Sequence, residues 1–136
     1  MSMLASVIVK AVILNRRLKK ILLIRRSTGD FGGGTWESAG GKVEEGETLE
    51  NAVIREIFEE TGLKVIPEKL LYASLDEREG QGLVFIVYLC LTDKESVILS
   101  GEHSESRWVS KRECRSMLEG RIAEDFVKHG VYDIRW

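Results

Sequence analysis

From Thr48 to Thr61 apolar residues recur at helical spacing, and Gly62 stands where a helix stop is expected. One amphipathic helix is thereby set in the middle of a chain whose other apolar runs read as strands. Its stripe consists of Leu49, Val53 and Ile57, joined by Ile54 and Phe58, with Thr48 as the N-cap. Beside the stripe, Glu56, Glu59 and Glu60 fall within an arc of roughly 100°. Two of them crowd the final turn, where the partial negative charge of the helix end disfavours each by about 0.3–1 kcal/mol. Like charges at this spacing cost about 0.2–0.5 kcal/mol more per pair. Arg55 can answer Glu59 one turn away, but one guanidinium cannot neutralise three carboxylates. A glutamate face is ordinarily solvated surface. These residues, however, border the core stripe and follow a glycine-rich loop that can bring backbone carbonyls and more glutamates within reach. A hard divalent cation such as Mg²⁺, which takes oxygen ligands, would resolve the conflict.

The flanks indicate an α/β protein. SVIVKAVILN and KKILLIRRS, separated by a short polar turn, predict a β-hairpin. The loop from Thr28 to Glu47 holds seven of the chain's 13 glycines, too many for a mere connector. Strands are expected at LLYASLDE, LVFIVYLCLTD and SRWVS, and helices at KRECRSML and IAEDFVKHG. The only proline, Pro67, falls in the link after the first helix. With 136 residues, 43% of them hydrophobic, the chain suits one globular domain over 1–136. A net charge of −2 gives no footprint for duplex nucleic acid or an anionic membrane. The two cysteines, Cys90 and Cys114, make neither a disulfide framework nor a zinc site and fit a reducing cytoplasm. The N-terminus lacks the pattern of a secretion signal, and no apolar run reaches membrane-spanning length.

Read outward, GKVEEGETLENAVIREIFEETGL places Gly41, Glu47, Arg55-Glu56, Ile57, Glu59-Glu60, Gly62 and Leu63 at fixed intervals. This resembles the Nudix box of the MutT-like hydrolases, with all nine defined positions filled over 23 residues. The resemblance implies a Nudix-type α/β/α sandwich, a mixed β-sheet between helices. It also implies that Glu56, Glu59 and Glu60 hold Mg²⁺, with Mn²⁺ as a substitute, helped by the Gly41 backbone carbonyl. Arg55 and Glu47 would be the ion pair that orients this catalytic cluster, and Gly62 would shape the helix end. Gly40 and Gly41 would permit backbone that a side chain obstructs. Ala39 departs from the family, many members of which carry proline there, and bears only on local loop shape.

Outside the box, the family often has a glutamate six residues before a tryptophan, in a loop that reaches the metal. Glu102 stands six before Trp108 and is the expected general base or additional ligand, with Glu105 as its competitor. His103 could assist as base or ligand, although a lone loop histidine is more often exposed; His129 is a weaker candidate. Arg26 could reach a substrate phosphate, and Trp36 could stack on a base or serve packing alone. The implied reaction is hydrolysis of a pyrophosphate bond in a nucleoside diphosphate linked to another group. Small size favours a MutT-like nucleoside triphosphate pyrophosphatase acting as monomer or homodimer. Nucleotide sugars, ADP-ribose and dinucleoside polyphosphates are the alternative substrates, and a non-catalytic nucleotide sensor is a third reading.

Overall fold

In the computed structural model, which describes residues 1–29 and 33–136, seven strands form one sheet. The strands are β1 (Ala5–Asn15), β2 (Lys20–Arg26), β3 (Trp36–Glu37), β4 (Ala39–Lys42), β5 (Ile66–Arg78), β6 (Gln81–Leu91) and β7 (His103–Val109). The helices are α1 (Leu49–Thr61), α2 (Lys111–Met117) and α3 (Gly120–Lys128), followed by a 3-10 turn at Val131–Asp133. The main strand order is β3-β2-β1-β6-β5. β1 and β6 run parallel and the remaining pairs are antiparallel, so the sheet is mixed.

Both faces of the central strands are buried, and the period of two sorts their side chains between two cores. Val9, Ala11 and Ile13 of β1 join Leu22 and Ile24 of β2 and Tyr88 and Cys90 of β6 against Ala52, Val53 and Ile57 of α1. The alternate residues Val12, Leu14, Ile21, Leu23, Val87 and Leu89 pack with Cys114, Phe126 and Tyr132 on the opposite face. This is the expected helix–sheet–helix layering.

The first hairpin is splayed. β1 pairs with β2 only at Leu14–Ile21 and Asn15–Lys20, and its other half pairs with β4, Ile8 to Ala11 opposite Lys42 to Ala39. β2 meanwhile takes β3 and β7 as neighbours. The wedge between the diverging strands forms one wall of the candidate site.

Three local expectations are corrected. Pro67 lies within β5, opposite Cys90, rather than in a link. β5 is an edge strand and the register shifts between Pro67 and Lys69, both settings that tolerate a missing N–H. The buried stripe of α1 is narrower than its apolar pattern: Leu49, Ile54 and Phe58 are exposed, while Ala52, Glu60 and Thr61 are buried. The sheet covers only one side of α1, so apolar residues beyond that arc have nothing to pack on. Finally, β7 begins at His103, which is buried and not an exposed loop residue. Among the described residues no helix is long and apolar enough to cross a membrane.

Candidate active site

α1 is fixed at both ends. The Thr48 hydroxyl accepts from the Asn51 N–H at 3.1 Å. At the other end Gly62 adopts φ 73°, and its N–H donates to Phe58 O at 2.9 Å. The segment after β6 then folds over the helix end: the N–H groups of Ile98 and Ser100 donate to the carbonyls of Thr61 and Glu60, at 2.9 and 3.2 Å. Those carbonyls would otherwise lack partners. The same crossing carries Glu102 and His103 to the acidic turn, so capping and site assembly are one structural event.

Arg55 organises the acidic face. Its Nε and one terminal nitrogen donate to the two Glu47 carboxylate oxygens at 2.7 and 2.9 Å, a bidentate grip. The other terminal nitrogen donates to Glu56 at 2.9 Å and Glu59 at 3.2 Å. Arg55 also donates to the Lys42 carbonyl, tying the helix to the end of β4. The Arg55 hydrogen bond, helped by the Glu44 N–H, lowers the Glu47 carboxyl to about 2. Arg55 is in turn held firmly protonated, chiefly by Glu47.

Two glycines admit the helix carboxylates to the strand. A Cβ on Gly41 would overlap the Glu56 carboxylate, and one on Gly40 would overlap the Val9 carbonyl and Lys10. Gly40 N–H donates to Glu60 Oε1 at 2.7 Å. Burial raises the Glu60 carboxyl above its ordinary range, and Glu56 adds to the effect, against the opposing pull of that N–H, Lys10 and His103.

Carboxylate oxygens of Glu60 and Glu102 and one ring nitrogen of His103 lie within 4.8 Å of one another. Glu59 is brought to Arg55 rather than into this tight group, and its side chain is 57% exposed. Glu105 is directed elsewhere, to Arg25 at 3.5 Å and Arg107 at 3.2 Å. The guanidiniums of Arg25 and Arg107 sit 5.8 and 5.3 Å from the ring centre of Trp36. His129 stacks on Tyr72 with ring centres 4.5 Å apart.

Sequence reasoning missed Glu37 and Lys10. Glu37 accepts from Lys10 at 3.4 Å and Arg26 at 3.3 Å, and pairs with His103 Nε2 at 2.8 Å. Burial alone would raise its pKa, but the His103 hydrogen bond and the charges of Lys10 and Arg26 win and lower it to about 2. The available signal was charge out of place: a lysine inside the apolar run VIVKAVIL and a glutamate between a tryptophan and the paired glycines.

Lys10, Arg26, Glu37, Glu60 and Glu102 line one end of a cavity of about 700 Å³ whose wall also includes Tyr72, Phe85, Val87 and the start of α3. Its volume lies in the range of small-molecule sites. The family model described as NUDIX domain matches residues 5–128. The chain belongs to the Nudix family. Its Nudix box, Gly41 to Leu63, runs from β4 through α1 to just beyond the helix stop.

Among Nudix relatives, a MutT-like protein of Streptomyces ambofaciens is 34% identical over 116 residues, 85% of this chain and 65% of that protein. The chain thus spans just under two thirds of that relative's length. The CTP pyrophosphohydrolase of Escherichia coli K12 is 33% identical over 96 residues, covering 70% of each chain. The crystal structure of the MutT protein from Methanosarcina mazei Go1 has a TM-score of 0.84 at 28% identity, covering 99% of both chains.

The site's donor set suits the divalent ion of a Nudix enzyme. The side-chain-free contact at Gly41 leaves room for the Glu56 carboxylate, Glu60 is a buried acid, and the buried His103 Nδ1 has no hydrogen-bond partner among the described residues. Carboxylate oxygens are the ligands that Mg²⁺ and Mn²⁺ prefer.

Proposed function

We propose that this protein is a divalent-metal-dependent pyrophosphohydrolase that cleaves a nucleoside triphosphate to the monophosphate and pyrophosphate. The observation that carries this reading is the meeting of Glu60, a box acid, with Glu102 in the wall of a nucleotide-sized cavity. Glu56, Glu59, Glu60 and the Gly41 carbonyl would hold Mg²⁺, with Mn²⁺ as a substitute. When bound, the ion supplies charge stabilisation on phosphoryl oxygens and acidifies bound water.

The chain's own residues do the rest. Glu102, beside Glu60, serves as additional ligand or as the general base that positions the attacking water and accepts its proton, a base role being typically worth about 10²–10⁴-fold. Arg55, locked to Glu47, keeps the Glu56 and Glu59 carboxylates in place before substrate arrives. Arg26 and Lys10 line the same end and offer positive charge to the phosphate chain. Tyr72, Phe85 and Val87, farther along the wall, give apolar surface to the base.

The relation to a CTP pyrophosphohydrolase favours a triphosphate over larger nucleotide conjugates. Burial pushes the Cys90 and Cys114 thiols up to about 12 and about 11. Such unreactive free thiols fit a cytoplasmic enzyme.

The deciding assay separates and identifies the products formed with Mg²⁺ from a panel of ribo- and deoxyribonucleoside triphosphates, ADP-ribose, a nucleotide sugar and a dinucleoside polyphosphate, with pyrophosphate release marking the triphosphates alone. Turnover of a triphosphate, abolished in Glu60→Gln, supports the proposal. Tight nucleotide binding without turnover of any compound would instead identify a sensor.

A further inference from the structure

The His103 ring is in an unusual position for a side chain with no assigned task. Its side chain is 2% exposed, and its Nε2 lies 2.8 Å from Glu37 Oε2. Nδ1 is also buried and has no hydrogen-bond partner among the described residues. A buried polar atom without a partner is costly, so the fold carries a penalty here that none of the described residues offsets. One ring nitrogen of His103 lies within 4.8 Å of carboxylate oxygens of Glu60 and Glu102.

Glu37 determines which nitrogen is available. Held by Lys10 and Arg26, its carboxylate can only accept, so Nε2 must carry a hydrogen. In the neutral ring Nδ1 then bears the lone pair. Carboxylate, imidazole and an open nitrogen lone pair among acids is the arrangement by which proteins orient a histidine toward a metal. His129 has no such setting, since it is stacked on Tyr72.

We infer that His103 is a nitrogen ligand, oriented by Glu37, in a mixed nitrogen–oxygen divalent-cation site with Glu60 and Glu102. This rests on the reading of the pocket as a metal centre and adds to it a metal preference. Imidazole suits transition ions better than Mg²⁺, so the site favours Mn²⁺ over Mg²⁺ when the two compete.

Pulsed electron paramagnetic resonance of the full chain loaded with Mn²⁺ alone tests this. The expected spectrum shows modulation from an imidazole nitrogen that changes when histidine is isotopically labelled. The modulation disappears in His103→Gln and persists in His129→Gln. His103→Gln also weakens Mn²⁺ binding by about tenfold or more, while Mg²⁺ binding changes by less than about twofold. A merely structural histidine would weaken both ions alike. Full-affinity Mn²⁺ binding to the wild-type chain without histidine modulation overturns the inference and leaves the pyrophosphohydrolase reading standing. Absence of Mn²⁺ binding overturns both. The wild-type spectrum decides the matter even if His103→Gln fails to fold.

Discussion

Arg55 grips both carboxylate oxygens of Glu47 while a third guanidinium nitrogen reaches Glu56 and Glu59. The pair therefore joins the glycine-rich loop to the acidic turn through one rigid plane. Lysine carries the same charge but cannot reproduce this fork. Arg55→Lys is expected to lower Mn²⁺ affinity and kcat/KM by about 10–100-fold with little change in secondary structure. Metal titration and kinetics on the same preparation check it. A variant indistinguishable from wild type would show that charge alone suffices.

Gly40 and Gly41 are adjacent, yet alanine should affect them differently. At Gly40 the new Cβ would meet the Val9 carbonyl, backbone in the middle of the sheet that cannot step aside. Gly40→Ala should destabilise the fold by about 1–3 kcal/mol. At Gly41 the obstacle is the end of the Glu56 side chain, which can swing away. Gly41→Ala should retain most of its stability and lose at least about tenfold in metal affinity, because a displaced carboxylate no longer faces the strand. Thermal melts and metal titrations of the two variants distinguish a fold lesion from a site lesion.

The box was legible because its residues lie on one helix and the loop before it, where spacing fixes direction. Thr48 and Gly62 cap α1 as their residue types predict. Lys10 and Glu37 were not legible as a pair, because 27 residues separate them and only the sheet brings them together. His103 was misjudged for the same reason: its burial depends on the crossing of the 92–102 segment over the end of α1. Ile54 and Phe58 show the converse error, since apolar periodicity does not reveal how wide a neighbouring surface is.

Glu60 should trade stability for function. Burial raises its carboxyl pKa in the folded protein, so the ionised form is disfavoured there relative to the unfolded chain. The sign follows: this penalty is absent well below the unfolded pKa and complete once pH exceeds the raised folded value. Glu60→Gln removes the charge but leaves an amide oxygen to accept from Gly40 N–H. Without metal, the variant is therefore expected to melt at a higher temperature than wild type at neutral pH and at a similar temperature in acid. With saturating Mn²⁺ the order should reverse, since wild type alone gains from binding. A metal-free Glu60→Gln protein less stable than wild type at neutral pH would contradict the buried-charge account.

Glu37 carries the opposite sign and gives the sharpest pH test. Its carboxyl falls from the ordinary 4.5 to about 2 in the folded protein, despite burial, because His103, Lys10 and Arg26 surround it. A depressed folded pKa stabilises the protein above the unfolded value, and that contribution disappears as pH falls through the folded one. The shift corresponds to on the order of 3 kcal/mol at neutral pH. Glu37→Gln should therefore be less stable than wild type by up to that amount at about pH 7, and the gap should close between 4.5 and about 2. Urea unfolding of both proteins without metal, at about pH 7, 4 and 2.5, measures the closure. A gap of constant size across that range would mean that Glu37 acts through shape and not through its charge. The ion cluster linking β1, β2 and β7 would then have to be held by some other group.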